Sequence, residues 1–218
     1  MLQETKNAPT TPQFLDGTVT THTYTKPGRD AGLVAGTLVE TDAGWRAVEL
    51  LRVGDNVQTF DGGLRQVRRV ERAYYGETHG GYALDVVLYV PGGTIGNCDE
   101  MVLMPHQQVM VMSRVTEEFL GAPMVLLPAS ALDGYRGISR MAVDGLVEAI
   151  TLGFDDEEIV YANSGVMLQC ANTAGSEFFT VLDHGQAGAL VSLLDRDAQT
   201  LDTATAMMRD QVPQKQAA

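Results

Sequence analysis

The chain has 218 residues, 44% of them hydrophobic, enough to bury one core of ordinary size. Its 28 acidic against 15 basic residues give a net charge of −13 at neutral pH, a field that repels phosphate backbones and anionic membrane surfaces. Nucleic acid is thereby excluded as an expected partner, the 2 cysteines are too few for a disulfide scaffold, and no apolar run approaches the length of a membrane span.

Residues 1–31 are rich in Thr, Pro, Asn and Gln and poor in large apolar groups, which predicts a flexible N-terminal arm. The arm lacks the basic start and apolar run of a secretory signal, so a soluble protein is expected, cytoplasmic or exported by a route without a cleaved leader. From Gly32 the text turns strand-like. "GTLVET" alternates, with Leu38 on one face and Thr37 and Val39 on the other, and "DAG" at 42–44 signals a turn before "WRAVEL". "NVQTF" ends in "DGG", a tight turn where glycine supplies positive φ, and "LRQVRRVERAYY" alternates onward as one strand. "YALDVVLYV" closed by "PGG", then "EMVLMPHQQVMVM", "MVLLPASAL", "LVEAITLGF" and "EEIVYAN", follow as short segments bounded by Gly, Pro, Asn or Asp. With no long amphipathic helix between them, an all-β domain over 32–183 is expected. From His184 the period changes: Leu190, Leu193, Leu194, Leu201 and Met208 sit at helical offsets, predicting a short C-terminal helical segment and polar tail over 184–218.

The succession "AGTLVETDAGWRAVELLRVGDNVQTFDGG", "YVPGGTIGNCDEMVLMPHQQVMVM", "APMVLLPASAL" and "VEAITLGFDDEEIVYAN" resembles the Hint domain shared by hedgehog autoprocessing domains and inteins, and within it a bacterial group. The resemblance covers about 32–179, and its most specific part is the opening through "GDNVQTFDGG". It implies a horseshoe-shaped β domain whose self-cleavage needs particular side chains. The family's nucleophile, a cysteine or less often a serine, lies four residues before "GT"; that position here is Gly32, which has nothing to attack with. A hydroxyl residue and a histidine three residues later polarise the scissile amide in the family, as in "SPQHRV"; here "MPHQQV" puts Met104 and Gln107 there. The family's later "YxHLxxDRHExVxANG" segment is matched by "AITLGFDDEEIVYANSG", with Thr151 and Glu157 at the two histidine positions. The apolar framework of the same segments is intact, which implies a retained fold with its chemistry lost. His106 lies one residue before the family histidine, and alternation along a strand would turn it to the opposite face unless a bulge re-aims it.

Other candidates are weaker. Asp155, Asp156, Glu157 and Glu158 could face a hard cation, but their spacing matches no multidentate loop, and a solvated turn is the expectation. Asp183 and His184 with Ser176 or Ser192 contain the residue types of a hydrolytic triad without a nucleophile elbow. Cys98 stands in a loop just before a strand and could be a reactive thiol, but the acidic Asp99 and Glu100 that follow it do not favour a thiolate, and Cys170 reads equally as core. Trp45, Tyr74 and Tyr75 are expected in core or sheet-face packing, and the basic strip Arg65–Arg72 as a charge-protected edge. No cofactor is called for. The expected function is a catalytically inactive Hint-like module that is structural or binds protein, its oligomeric state open. The alternative is self-processing by a displaced nucleophile, Thr37 with His106.

Overall fold

The computed structural model describes residues 31–76, 84–170, 176 and 178–210, with side chains placed as far as residue 198. All of the N-terminal arm except Ala31, and the tail after Asp210, lie outside the described residues.

The first half of the chain forms β1 (Leu33–Val34), β2 (Leu38–Thr41), β3 (Gly44–Ala47), β4 (Asn56–Thr59), β5 (Gly63–Gln66), β6 (Arg69–Tyr75) and β7 (Val86–Val90). Then follow β8 (Met101–Leu103), β9 (Gln108–Met112), helix α1 (Arg114–Leu120), β10 (Met124–Pro128) and β11 (Ser139–Ala142). The chain closes with β12 (Val147–Gly153), β13 (Glu158–Ala162), β14 (Val166–Cys170), β15 (Thr180–Val181) and helix α2 (His184–Asp210). The predicted mainly-β fold with a C-terminal helix is therefore what forms.

The strands make a six-stranded sheet in the order β11-β7-β8-β1-β12-β6 and a nine-stranded sheet in the order β15-β10-β9-β14-β13-β2-β4-β5, with β3 beside β2. Leu33, Leu103, Ile150 and Leu152 of the first sheet meet Val39, Val57, Val160 and Leu168 of the second in one buried cluster. Each such aliphatic side chain, fully withdrawn from water, stabilises the fold by about 2 kcal/mol. The reverse face of the first sheet carries a smaller cluster of Tyr75, Leu84, Val87, Met104 and Ala149.

The turns follow their residues. At the β4–β5 hairpin the Thr59 hydroxyl donates to Gly63 O at 3.1 Å. A Cβ on Gly62 would lie 2.8 Å from Thr59 Oγ1 and 3.0 Å from Glu158 Oε2, so no larger residue fits there without displacement. α2 begins with a reciprocal cap: Gln186 N–H donates to Asp183 Oδ1 at 2.8 Å, and Asp183 N–H donates to Gln186 Oε1 at 3.1 Å. Its first turns bury Ala187, Leu190 and Val191 in the main core.

Several expectations are corrected. "LRQVRRVERAYY" is not one strand: the chain breaks after Gln66, buries Val67 completely, and passes from the second sheet to the first. "EMVLMPHQQVMVM" likewise divides into β8 and β9, in different sheets, around a turn at 105–106. Helix α1 was unforeseen, although Ser113 and Thr116 form its capping box and Gly121 ends it in left-handed conformation. The C-terminal helix is not short but 27 residues long. Trp45 and Tyr74 are 40% and 38% exposed, whereas Tyr75 alone of the three is core. Among the described residues, no helix is long and apolar enough to cross a membrane.

Candidate functional site

β1 pairs with β12 in the register Leu33↔Ile150 and Val34↔Ala149, and one further step sets Gly32 opposite Thr151. Gly32 has φ +125°, in the region that residues with a Cβ rarely adopt. A Cβ built there would meet Ala149 Cβ at 3.3 Å and both Ile150 O and Thr151 Oγ1 at 3.4 Å.

The Gly32 N–H donates to Gln107 Oε1 at 3.1 Å. Gln107 Nε2 in turn donates to Gln108 O at 3.0 Å and to Gln169 O at 2.9 Å. Gln169 Nε2 donates to Glu157 Oε1 at 2.7 Å. Three hydrogen bonds thus join positions 32, 107, 169 and 157 into one polar chain that crosses from the first sheet to the second.

Local folding fixes the Gln107 amide. Its own N–H closes the β8–β9 turn onto Met104 O at 3.1 Å, while Ala129 N–H and Ser130 N–H donate to Gln107 O and Pro105 O, both at 2.9 Å. Met104 is wholly buried beside Ala149, so a thioether occupies the place where a hydroxyl would be needed. His106 projects from the tip of the same turn and is exposed, on a turn rather than the strand expected for it. An amide neither gains nor loses a proton near neutral pH, so Gln107 can position the Gly32 N–H but cannot act as acid or base on it.

The Hint domain family pattern matches residues 31–167, a span that holds Gly32, Met104, Gln107, Thr151 and Glu157, with Gln169 just beyond it. The chain belongs to the Hint domain family. Among solved structures, the bacterial intein-like domain from Clostridium thermocellum is 15% identical to this Hint domain; 64% of this chain covers 98% of that one, with a TM-score of 0.46. A splice-inactive variant of the AceL NrdHF class 3 split intein is 14% identical over 66% of this chain and all of its own, with a TM-score of 0.45. The gp41-1 intein is 12% identical over 65% and 98%, with a TM-score of 0.37. No curated protein matches this Hint domain.

The remaining candidates are placed as follows. Thr37 is buried, its N–H bonded to Val34 O at 3.0 Å, and it lines a cavity of 390 Å³ to which His106 does not contribute. The four carboxylates of 155–158 are divided rather than convergent: Asp155 pairs with Arg68 at 2.9 Å, Asp156 is exposed, Glu157 accepts from Gln169, and buried Glu158 lies 3.2 Å from Arg65 Nε. Among the described residues, no group of three or more His, Cys, Asp or Glu side chains could hold a metal ion. Asp183 caps α2, the Ser176 hydroxyl accepts from Phe178 and Phe179 N–H, and Ser192 donates to Gly188 O, so these three serve local structure, while His184 is the first residue of α2. The basic strip contributes ion pairs to Asp155, Glu158 and Glu148 through Arg68, Arg65 and Arg72.

Sequence reasoning missed Gln169, the link between Gln107 and Glu157. Its signal is a lone amide in the otherwise apolar strand "VMLQC", where a polar side chain 8% exposed must find a partner. It missed Asn163 as well, whose Oδ1 accepts Leu38 N–H at 2.8 Å and holds β2 to the β13–β14 turn.

Of the thiols, Cys98 is exposed and Cys170 buried. Burial, with the nearby Glu158 carboxylate adding to it, pushes the Cys170 thiol from 9.0 up to about 12. The folded state therefore favours the neutral thiol, a contribution complete below the ordinary thiol value and lost as pH rises toward about 12. Iodoacetamide at an alkaline pH below that value is expected to add once, at Cys98, and to reach Cys170 only in denaturant. Two adducts on the folded protein by intact mass would contradict this.

Proposed function

We propose that this Hint domain no longer cleaves itself and serves as a folded structural or protein-binding module. The observation that carries the reading is the bond from Gly32 N–H to the Gln107 amide: the position that bears the family's nucleophile has no side chain, and the position that bears its histidine holds a group unable to move a proton. The Thr151 hydroxyl lies beside Gly32, and the carboxylate opposite it across the β12–β6 pair, Glu71, is paired with Arg69 at 3.1 Å. Glu157, the fourth member, is committed to Gln169. Five replaced positions therefore build a connected hydrogen-bonded and packed structure in place of a reactive one.

Self-processing through Thr37 and His106 finds no support in the geometry, because one side chain is buried at a cavity between β1 and β8 and the other is exposed at the β8–β9 turn. Purified full-length protein, incubated for days with dithiothreitol or hydroxylamine, is expected to keep its intact mass. A new amino terminus at or near residue 32, whose appearance is accelerated by either nucleophile, would overturn the proposal.

A further inference from the structure

The 390 Å³ cavity lies on the outer side of the first sheet, between β1, β7, β8 and β11, and its volume is at the small end of the range for ligand sites. Val34, Met101 and Met141 give it apolar wall beside polar groups, and no lining residue carries a positive charge. Glu100 stands at one side, and the Tyr89 hydroxyl donates to its Oε2 at 2.7 Å, which fixes the carboxylate and leaves its other oxygen available. That bond also raises the Tyr89 pKa above 10.0, so the phenol stays a donor throughout the physiological range. The only arginine flanking Met141, Arg140, is drawn away to Asp133 at 2.8 Å.

Asn163 forms another part of the wall. It is 8% exposed, and its Oδ1 is spent on Leu38 N–H, while among the described residues no hydrogen bond consumes its Nδ2. The cavity thus offers an anchored carboxylate, an apolar passage and a spare amide donor. A complementary ligand carries a cation, an aliphatic stem and a carbonyl acceptor.

We infer that this cavity binds a lysyl group, its ammonium at Glu100 and Tyr89, its methylenes along Val34 and Met141, and its carbonyl at Asn163 Nδ2. The chain's charge of −13 draws cations toward the surface and speeds such encounters. The inference goes beyond the proposed loss of self-cleavage and holds or fails independently of it. The lysyl group can come from free lysine or from a peptide, and the carbonyl requirement is met by both.

The full chain, labelled with nitrogen-15, is titrated with Nα-acetyl-lysine N-methylamide at constant ionic strength. Saturable shifts are expected at the amides of Gly36, Thr37, Val102 and Asn163, with a dissociation constant on the order of 1 mM. The norleucine analogue, which lacks only the ammonium, is expected to bind at least about tenfold more weakly, and Glu100→Gln to weaken the lysyl probe by a similar factor while leaving the melting temperature unchanged. Free lysine in a parallel titration identifies the source: equal binding points to the amino acid, weaker binding to a peptide, and both support the site. Absence of saturable shifts at these amides, equal binding of the norleucine analogue, or an undiminished Glu100→Gln response would overturn the inference.

Discussion

Gln107→Leu is expected to destabilise this Hint domain by about 3 kcal/mol, because it deprives buried backbone groups of their partners while keeping a similar volume. The Gly32 N–H loses its acceptor, and the Gln108 and Gln169 carbonyls lose their donor, in a place where Gln107 itself is only 2% exposed. Each orphaned group costs about 1–3 kcal/mol, and partial relaxation keeps the sum near the lower end. A melting temperature lower by roughly 10 °C is the corresponding readout for a domain of this size. A Gln107→Leu protein as stable as the parent would mean that the amide is a passenger in the site.

Gly32→Cys is expected to be both silent and costly. Silence follows because a thiol placed at residue 32 still lacks a proton-transferring partner: position 107 holds an amide and position 104 a buried thioether. The cost follows from φ +125°, a conformation that penalises any Cβ by about 1–3 kcal/mol, with Ala149 Cβ and Ile150 O already at 3.3 and 3.4 Å from where that carbon would sit. Thiol-dependent cleavage of the single variant, followed by intact mass, would show that the chemistry survives elsewhere in the domain. A variant melting with the parent would show that β1 can re-thread without glycine.

The strand text from Gly32 onward was legible because alternation and turn chemistry are local properties: "DAG" and "DGG" do close the β2–β3 and β4–β5 hairpins. The family likeness rested on those same segments; Gly32 lies beside Thr151 and bonds to Gln107, while Glu157 is reached only through Gln169 of β14. What stayed hidden is non-local. Where a strand passes from one sheet to another depends on packing, so the break at Val67 leaves little trace in an alternating sequence, whereas Pro105, with no N–H for a ladder, was the available signal for the split between β8 and β9. Trp45 was expected in core or on a sheet face, and it is the second that forms: it pairs with Glu40 across β2 and β3 and stays 40% exposed. Gln169 could not be assigned a role without knowing that Glu158↔Cys170 pairing would bring Glu157 alongside it.

The Gln107 amide grips backbone from both sheets at once, at β1 through the Gly32 N–H and at β14 through the Gln169 carbonyl. Because the donor at residue 32 is a main-chain N–H, the link survives a change of side chain there and is lost with the amide at 107 or with a proline at 32. The amide therefore acts as a clasp between the two sheets, and the rate at which the Gly32 N–H exchanges with solvent reports how often the clasp opens.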